Sequence, residues 1–252
     1  MGTPPLGVGL VGAVAAKNNS QFKDTDSHNS HRKRLGAHTQ PMSEQQNHTR
    51  RLFIALELPS HLRRHLAQVI DELRRCDDRA VKWVAPDNMH LTLKFLGETP
   101  VERIEAIKAA VGKVMTHDSA VRGAFRLQST ALGAFPNLKR PRVFWASCVS
   151  DAGDLRRLER FAGAVDDSLG ELGFDKEERA FKAHLTLGRV RRPRPGAKAP
   201  DLGALIEKLK NYNYDPMDFE INKLSLFESQ LKREGPIYTA LGSWGFGEER
   251  FG

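Results

Sequence analysis

Two stretches of the chain read His-Leu-Thr-Leu: His90-Leu91-Thr92-Leu93 and His184-Leu185-Thr186-Leu187. Both lie in runs of alternating character, residues 89–98 and 181–190, which predict β-strands. In a strand, residues two apart share a face. Each copy would therefore aim one imidazole and one hydroxyl to one side and two leucines to the other. Two such strands lining one groove would gather two imidazoles, which titrate near pH 6.5, and two hydroxyl donors around one point. That set suits an anion undergoing acid–base chemistry. Of the nine histidines, only these two are followed by Thr two residues later. The bland alternatives are hydrogen-bonded structural histidines and ordinary β-branched strand residues.

The elements that must position these side chains come from a chain of 252 residues, enough for one large domain or two small ones. Hydrophobic content of 40% and charged content of 28% are ordinary for a globular protein. No apolar run is long enough to span a bilayer. Cys76 and Cys148 lack metal-ligand spacing and read as reduced thiols, which points to the cytoplasm. No His/Asp/Glu cluster has metal spacing either, so neither a metal nor any other cofactor is expected. The net charge is +8, of which residues 1–50 carry +3 and the remainder +5. A basic body is compatible with an anionic partner such as RNA, and equally with a solvated basic surface.

Residues 1–49 differ from the rest. Residues 6–16 are small and apolar, with Ala13-Val14-Ala15 resembling a cleavage site, but a positive n-region is missing. The Met-Gly start has Leu6 where myristoylation calls for Ser or Thr. A polar run rich in Asn, Gln, Ser and His follows. We expect residues 1–49 to be a disordered extension, with Met42 as the natural start, and residues 50–252 to form a single domain acting as a monomer away from membranes.

Strands are expected at 51–57, 81–84, 125–130, 142–149, 219–231 and 236–245, besides the two His-Leu-Thr-Leu strands. Helices are expected after Pro59-Ser60 and Thr99-Pro100, after a Ser150 or Asp151 cap, and after Asp201. Pro86-Asp87-Asn88 reads as a turn and residues 133–141 as a loop.

The pattern then repeats. Arg51-Leu-Phe-Ile-Ala55 aligns with Arg142-Val-Phe-Trp-Ala146, with Phe53 and Phe144 91 residues apart and His90 and His184 94 apart. A three-residue insertion reconciles the two. Each half runs strand, helix, strand with the histidine strand last, then a further helix. The expected fold is α+β: two pseudo-symmetric lobes of antiparallel β-sheet with outer helices around a central cleft.

These features resemble the 2H phosphoesterase superfamily, and within it the RNA 2′,3′-cyclic phosphodiesterases of the LigT/ThpR type, the "2′-5′ RNA ligase" family. The similar stretches are residues 51–56, 83–98, 133–145, 181–190 and 229–238, which together span nearly the whole folded body. Ala183 departs from the Pro that often precedes the second histidine in that family. The resemblance implies metal-independent hydrolysis of RNA 2′,3′-cyclic phosphate ends, tRNA fragments among them, to 2′-phosphomonoesters. It also implies that His90 is the proton donor and His184 the proton acceptor, with Thr92 and Thr186 binding phosphate. The two motifs are identical, so the residues themselves leave the division between the histidines open.

Lys94, Arg140, Arg142, Arg189 and Arg191 are candidates for contacts to RNA phosphates. Phe95, Trp145, Phe181 and Tyr238 could stack on a base or simply pack. Other readings are 2′-5′ ligation of tRNA halves, a cyclic-nucleotide phosphodiesterase, and a non-catalytic RNA-end-binding module.

Overall fold

Strand β1 (Thr49–Glu57) has five consecutive buried residues, 52–56, so both of its faces must be covered. The computed structural model describes residues 48–76, 79–118, 121, 123–150, 153–233 and 235–246. The chain divides into two units, residues 1–48 and 49–252, and the fold belongs to the second. The expectations for residues 1–47, including a start at Met42, lie outside the described residues.

In the first sheet β1 sits between β3 (His90–Pro100) and β9 (Lys223–Leu231), and β10 (Pro236–Gly245) flanks β9. The second sheet has the order β2 (Val81–Trp83), β7 (His184–Val190), β6 (Val143–Ser147), β5 (Leu132–Phe135). A two-stranded ribbon pairs β4 (Phe125–Ser129) with β8 (Met217–Ile221). All of these pairings are antiparallel, giving the expected α+β fold.

The helices cover one face of each sheet because their apolar residues recur three or four apart. Helix α1 (Ser60–Arg74) buries Leu62, Leu66, Val69, Ile70 and Leu73, each contributing about 1.5–3 kcal/mol of burial. Helix α2 (Ile104–His117) buries Ile104, Ile107, Ala110, Val111 and Val114. Helix α3 (Asp154–Glu171) buries Leu158, Phe161, Ala162, Val165 and Leu169. It starts after Gly153, whose φ of 90° suits glycine, rather than at the expected Ser150; Asp151 lies outside the described residues. Before the short helix α4 (Gly203–Lys210), Asp201 Oδ1 accepts the Gly203 N–H at 2.9 Å.

Several sequence expectations change. The stretch expected as one strand over 219–231 breaks at Asn222 into β8 and β9, which serve different sheets. Residues 132–135, mostly expected as loop, form β5, a strand too short for alternation to reveal. Gly133 is required there: a Cβ would come within 2.3 Å of the Trp145 ring lying across it.

The duplication is also offset by one residue from the letter alignment. In the two sheets Leu56 pairs with Leu91 and Ala146 with Leu185, while Ile54 pairs with Lys94 and Phe144 with Gly188. Ile54 is thus the counterpart of Phe144, and both belong to the core. Phe53 faces the other way, against His90.

Lys94 is corrected as an RNA-contact candidate. In strict alternation it would share the face of His90 and Thr92. The β1–β3 register skips Leu93, however, so Lys94 falls opposite core residue Ile54. Its side chain is 5% exposed, pairs with Asp166 and donates to Asp175 O at 2.6 Å. Asp166 Oδ2 in turn accepts the Glu177 N–H at 3.1 Å, so α3, the 173–180 segment and the first histidine strand are tied together.

Removing one member of such a pair strands the other. Lys94→Met should lower unfolding stability by about 3 kcal/mol. Adding Asp166→Leu should restore much of the loss, as read by urea denaturation of the single and double variants.

Candidate active site

Alternation puts His90 with Thr92 and His184 with Thr186, and one irregularity shared by the two strands decides which side chains join them. In β3 the register skips Leu93, and in β7 it skips Leu187, the last residue of each His-Leu-Thr-Leu. Such a bulge reverses side-chain parity beyond it. On β3, His90, Thr92 and then Phe95 share a face; on β7, His184, Thr186 and then Arg189 do. Strands β3 and β7 lie against each other, which sets the two faces across one cleft. Leu91, Leu185 and Leu187 are core as expected, whereas Leu93 is only half-buried.

Beneath the second bulge, Gly188 lies against Trp83, and a Cβ there would meet Val81 Cγ1 at 2.7 Å and the Trp83 ring at 2.8 Å.

Each imidazole is held in the same way. His90 Nδ1 donates to the Asn88 carbonyl at 2.8 Å, and His184 Nδ1 donates to the Lys182 carbonyl at 2.8 Å. A carbonyl only accepts, so both neutral rings carry their proton on Nδ1 and keep the Nε2 lone pair for a proton from elsewhere.

The surroundings of the two rings differ. His90 packs against Phe53 at 4.8 Å and edge-on to Tyr238 at 5.3 Å. Its carbonyl partner is anchored as well, because Asn88 Nδ2 donates to Pro236 O at 2.8 Å. His184 meets Phe135 edge-on at 5.1 Å, and its carbonyl belongs to exposed Lys182.

Burial lowers the pKa of His90 from 6.5 to about 4, opposed by the Asn88 carbonyl and assisted by the charges of Arg189 and His184. Burial also lowers His184, assisted by Arg189 and opposed by the Lys182 carbonyl. Tyr238 is raised by burial, with Arg189 and Arg51 pulling the other way. Arg189 thus acts on residues of both lobes. The free site at neutral pH is two neutral imidazoles beside a fixed guanidinium, a combination that invites an anion and takes up a proton with it.

The site face of the first sheet carries Phe53, Phe95, Phe227 and Tyr238, with Phe53 at 5.3 Å from Phe227 and 6.2 Å from Phe95. Phe95 is 63% exposed, unlike most of the aromatic candidates. Trp145 shares the face of Thr186, and Phe181 packs at the core margin.

Among the other basic candidates, Arg140, Arg142 and Arg191 are exposed. Asn137 Oδ1 shapes the loop before them by accepting the Lys139 and Arg140 N–H groups, both at 3.0 Å. Sequence reasoning missed Asn88 as an anchor and Phe53 as the packing partner of His90. The turn signature at 86–88 was visible, but its link to Pro236, 148 residues away, was not.

A family model described as LigT-like phosphoesterase matches residues 56–145 and again 151–238, once in each half. An RNA 2′,3′-cyclic phosphodiesterase of Archaeoglobus fulgidus is 35% identical over 191 residues, covering 76% of this chain and 97% of the relative. One from Methanothermobacter thermautotrophicus is 34% identical over 191 residues, covering 75% and 95%. A crystal structure of a Thermus thermophilus protein superposes with a TM-score of 0.59 at 28% identity, covering 79% of this chain and 99% of that one.

Two outcomes are expected. His90 is depressed in the folded state, so between pH 6.5 and about 4 the unfolded chain binds the extra proton. Stability contributed by neutral His90 is complete above pH 6.5 and is lost as pH falls through this window. Urea midpoints should drop across it, and His90→Gln should flatten the slope. In Asn88→Ala the turn loses its anchor to Pro236, so water should reach the ring and the His90 titration followed by NMR should move up toward 6.5.

Proposed function

This chain belongs to the LigT-like phosphoesterase family, and from that premise we propose that it is an RNA 2′,3′-cyclic phosphodiesterase producing 2′-phosphomonoester ends. The observation that carries this reading is the pair of His-x-Thr strands facing one cleft, each imidazole held through Nδ1 with Nε2 left for proton transfer.

The reaction needs a base on one side of phosphorus and an acid on the other. Water attacks phosphorus in line with the bond to the ribose 3′-oxygen. His184 Nε2 takes the proton from water, and His90 Nε2–H gives its proton to O3′ as the P–O3′ bond breaks. The phosphoryl group stays on O2′. Thr92 and Thr186 donate hydrogen bonds to the non-bridging oxygens, and Arg189 offsets the negative charge that grows as water adds. The phosphodiester anion also opposes Arg189, which favours the protonated ring that the free site disfavours. Substrates are RNA fragments with cyclic phosphate ends, tRNA halves among them. The protein works as a cytoplasmic monomer and needs no metal for these steps.

An oligonucleotide ending in a 2′,3′-cyclic phosphate, incubated with a chelator, should yield a 2′-phosphate end. A 3′-phosphate product would overturn the acid and base assignment. His90→Ala and His184→Ala should each lower kcat by about 10²–10⁴-fold while leaving RNA binding intact. Turnover by neither the natural protein nor its variants, with binding retained, would make this a binding module. A joined 2′-5′ product from RNA halves would favour ligation.

A further inference from the structure

The parity change after Leu187 has an effect beyond the two histidines. On β7 it places Arg189 on the cleft face, and the same alternation carries on to Arg191, whose N–H continues the ladder to Ala80 O at 2.8 Å. On β2, Lys82 lies directly opposite Arg189 and shares that face. The strip ends at an open cavity of about 420 Å³ lined by Arg79, Arg191, Arg192, Lys198 and the single carboxylate Asp201. Asp201 is partly occupied by its bond to the Gly203 N–H. Among the described residues, Lys82, Arg189, Arg191, Arg192 and Lys198 have no ion-pair partner.

The first lobe differs at the matching position. Phe95 stands there in the position equivalent to Arg189, beside Phe53, Phe227 and Tyr238. The cleft faces therefore differ where the strip begins: both lobes set aromatic rings beside their histidine, Phe53 and Tyr238 in one and Phe135 in the other, but the line of Lys82, Arg189 and Arg191 belongs to the second.

Arg191 lies five residues beyond Thr186, about 16 Å at the rise of a strand. That is farther than the ribose and base of one nucleotide reach from a phosphate held at Thr186. It is within reach of the next phosphates along a single strand. Unpaired cations in a groove that tracks a backbone are how single-stranded nucleic acid is held without sequence readout.

We propose that this cavity at the end of the second histidine strand binds backbone phosphates of the RNA upstream of its cyclic end, so that the protein selects polynucleotide ends over cyclic mononucleotides. The inference rests on the phosphodiesterase reading for its biological sense, but its binding arm can be tested without catalysis.

The test variant is Arg192→Ala/Lys198→Ala, at the mouth of the cavity and away from the reacting groups. For a hexanucleotide ending in 2′,3′-cyclic phosphate its KM should rise about tenfold, with kcat unchanged. Turnover of a mononucleoside 2′,3′-cyclic phosphate should be unaffected. Binding of the same hexanucleotide with a plain 3′-hydroxyl end, followed by fluorescence anisotropy, should weaken in parallel. Its log K against log salt slope should become shallower by about 1.4, the value for two lost phosphate contacts on a single strand.

Unchanged hexanucleotide affinity and salt slope would overturn the proposal. So would equal losses on the mononucleotide and the hexanucleotide, which would place these residues in the cleft chemistry. If the natural protein hydrolyses neither cyclic substrate, the phosphodiesterase reading fails, while the anisotropy measurement still decides whether the cavity holds RNA.

Discussion

Side-chain alternation is the constraint on which the site depends, together with its interruption at the last leucine of each His-Leu-Thr-Leu. Alternation brings His90 with Thr92 and His184 with Thr186 onto one face. If it continued unbroken, Lys94 and Gly188 would come next on that face. The bulges at Leu93 and Leu187 replace them with Phe95 and Arg189 and return Lys94 and Gly188 to the core side. The core is built to receive them. Asp166 and the Asp175 carbonyl meet the lysine charge, and Trp83 with Val81 fills the space that a side chain at Gly188 would need. A shift of one residue in either strand would bury the imidazole and expose the leucines, so register and chemistry are specified together.

The backbone then treats the two histidines alike and the surroundings do not. Both rings donate Nδ1–H to the carbonyl two residues earlier, which fixes the tautomer and aims Nε2 away from the main chain. His90 packs against Phe53 and Tyr238, which also touch each other, over an anchored turn, whereas His184 sits against one aromatic ring beside an exposed stretch. Duplication supplied two equal proton carriers, and divergence of the flanking residues made them unequal. Phe95 in one lobe and Arg189 at the equivalent position of the other are further results of that divergence.

Much of this was legible in the sequence, because it rests on local periodicity. The alternating runs, the three-to-four spacing in the helices and the repeated tetrapeptide each report a face directly. What was hidden depended on contacts between distant segments. Nothing near Lys94 shows that residue 93 will bulge, and the lysine beside the motif invited a phosphate-contact reading that its ion pair with Asp166 removes. Matching Phe53 to Phe144 aligned identical letters, yet the two are buried on different sides, one on a histidine and the other in the main core cluster. The break at Asn222 was concealed because the residues on either side are equally good strand formers, and only pairing with different sheets separates them.

The inequality of the two rings also bears on the proposed division of labour. A ring whose neighbours oppose its charged form gives up a proton more readily, and a ring less opposed accepts one more readily. Packing under Phe53 and Tyr238 lowers His90 to about 4, mainly by burial, whereas His184 meets one ring beside an exposed stretch and is lowered by burial and Arg189; the repulsion between the two rings acts on both alike. The heavier burial of His90 favours it as the acid of the proposed mechanism and leaves His184 for the base. The cost is population, since the first proton to enter an empty cleft favours His184. In the proposed mechanism a phosphate anion held by both threonines would lie near both rings and reduce the penalty on each. Low proton affinity at His90 and a substrate that carries negative charge are therefore complementary: the acid becomes populated when there is an oxygen to protonate.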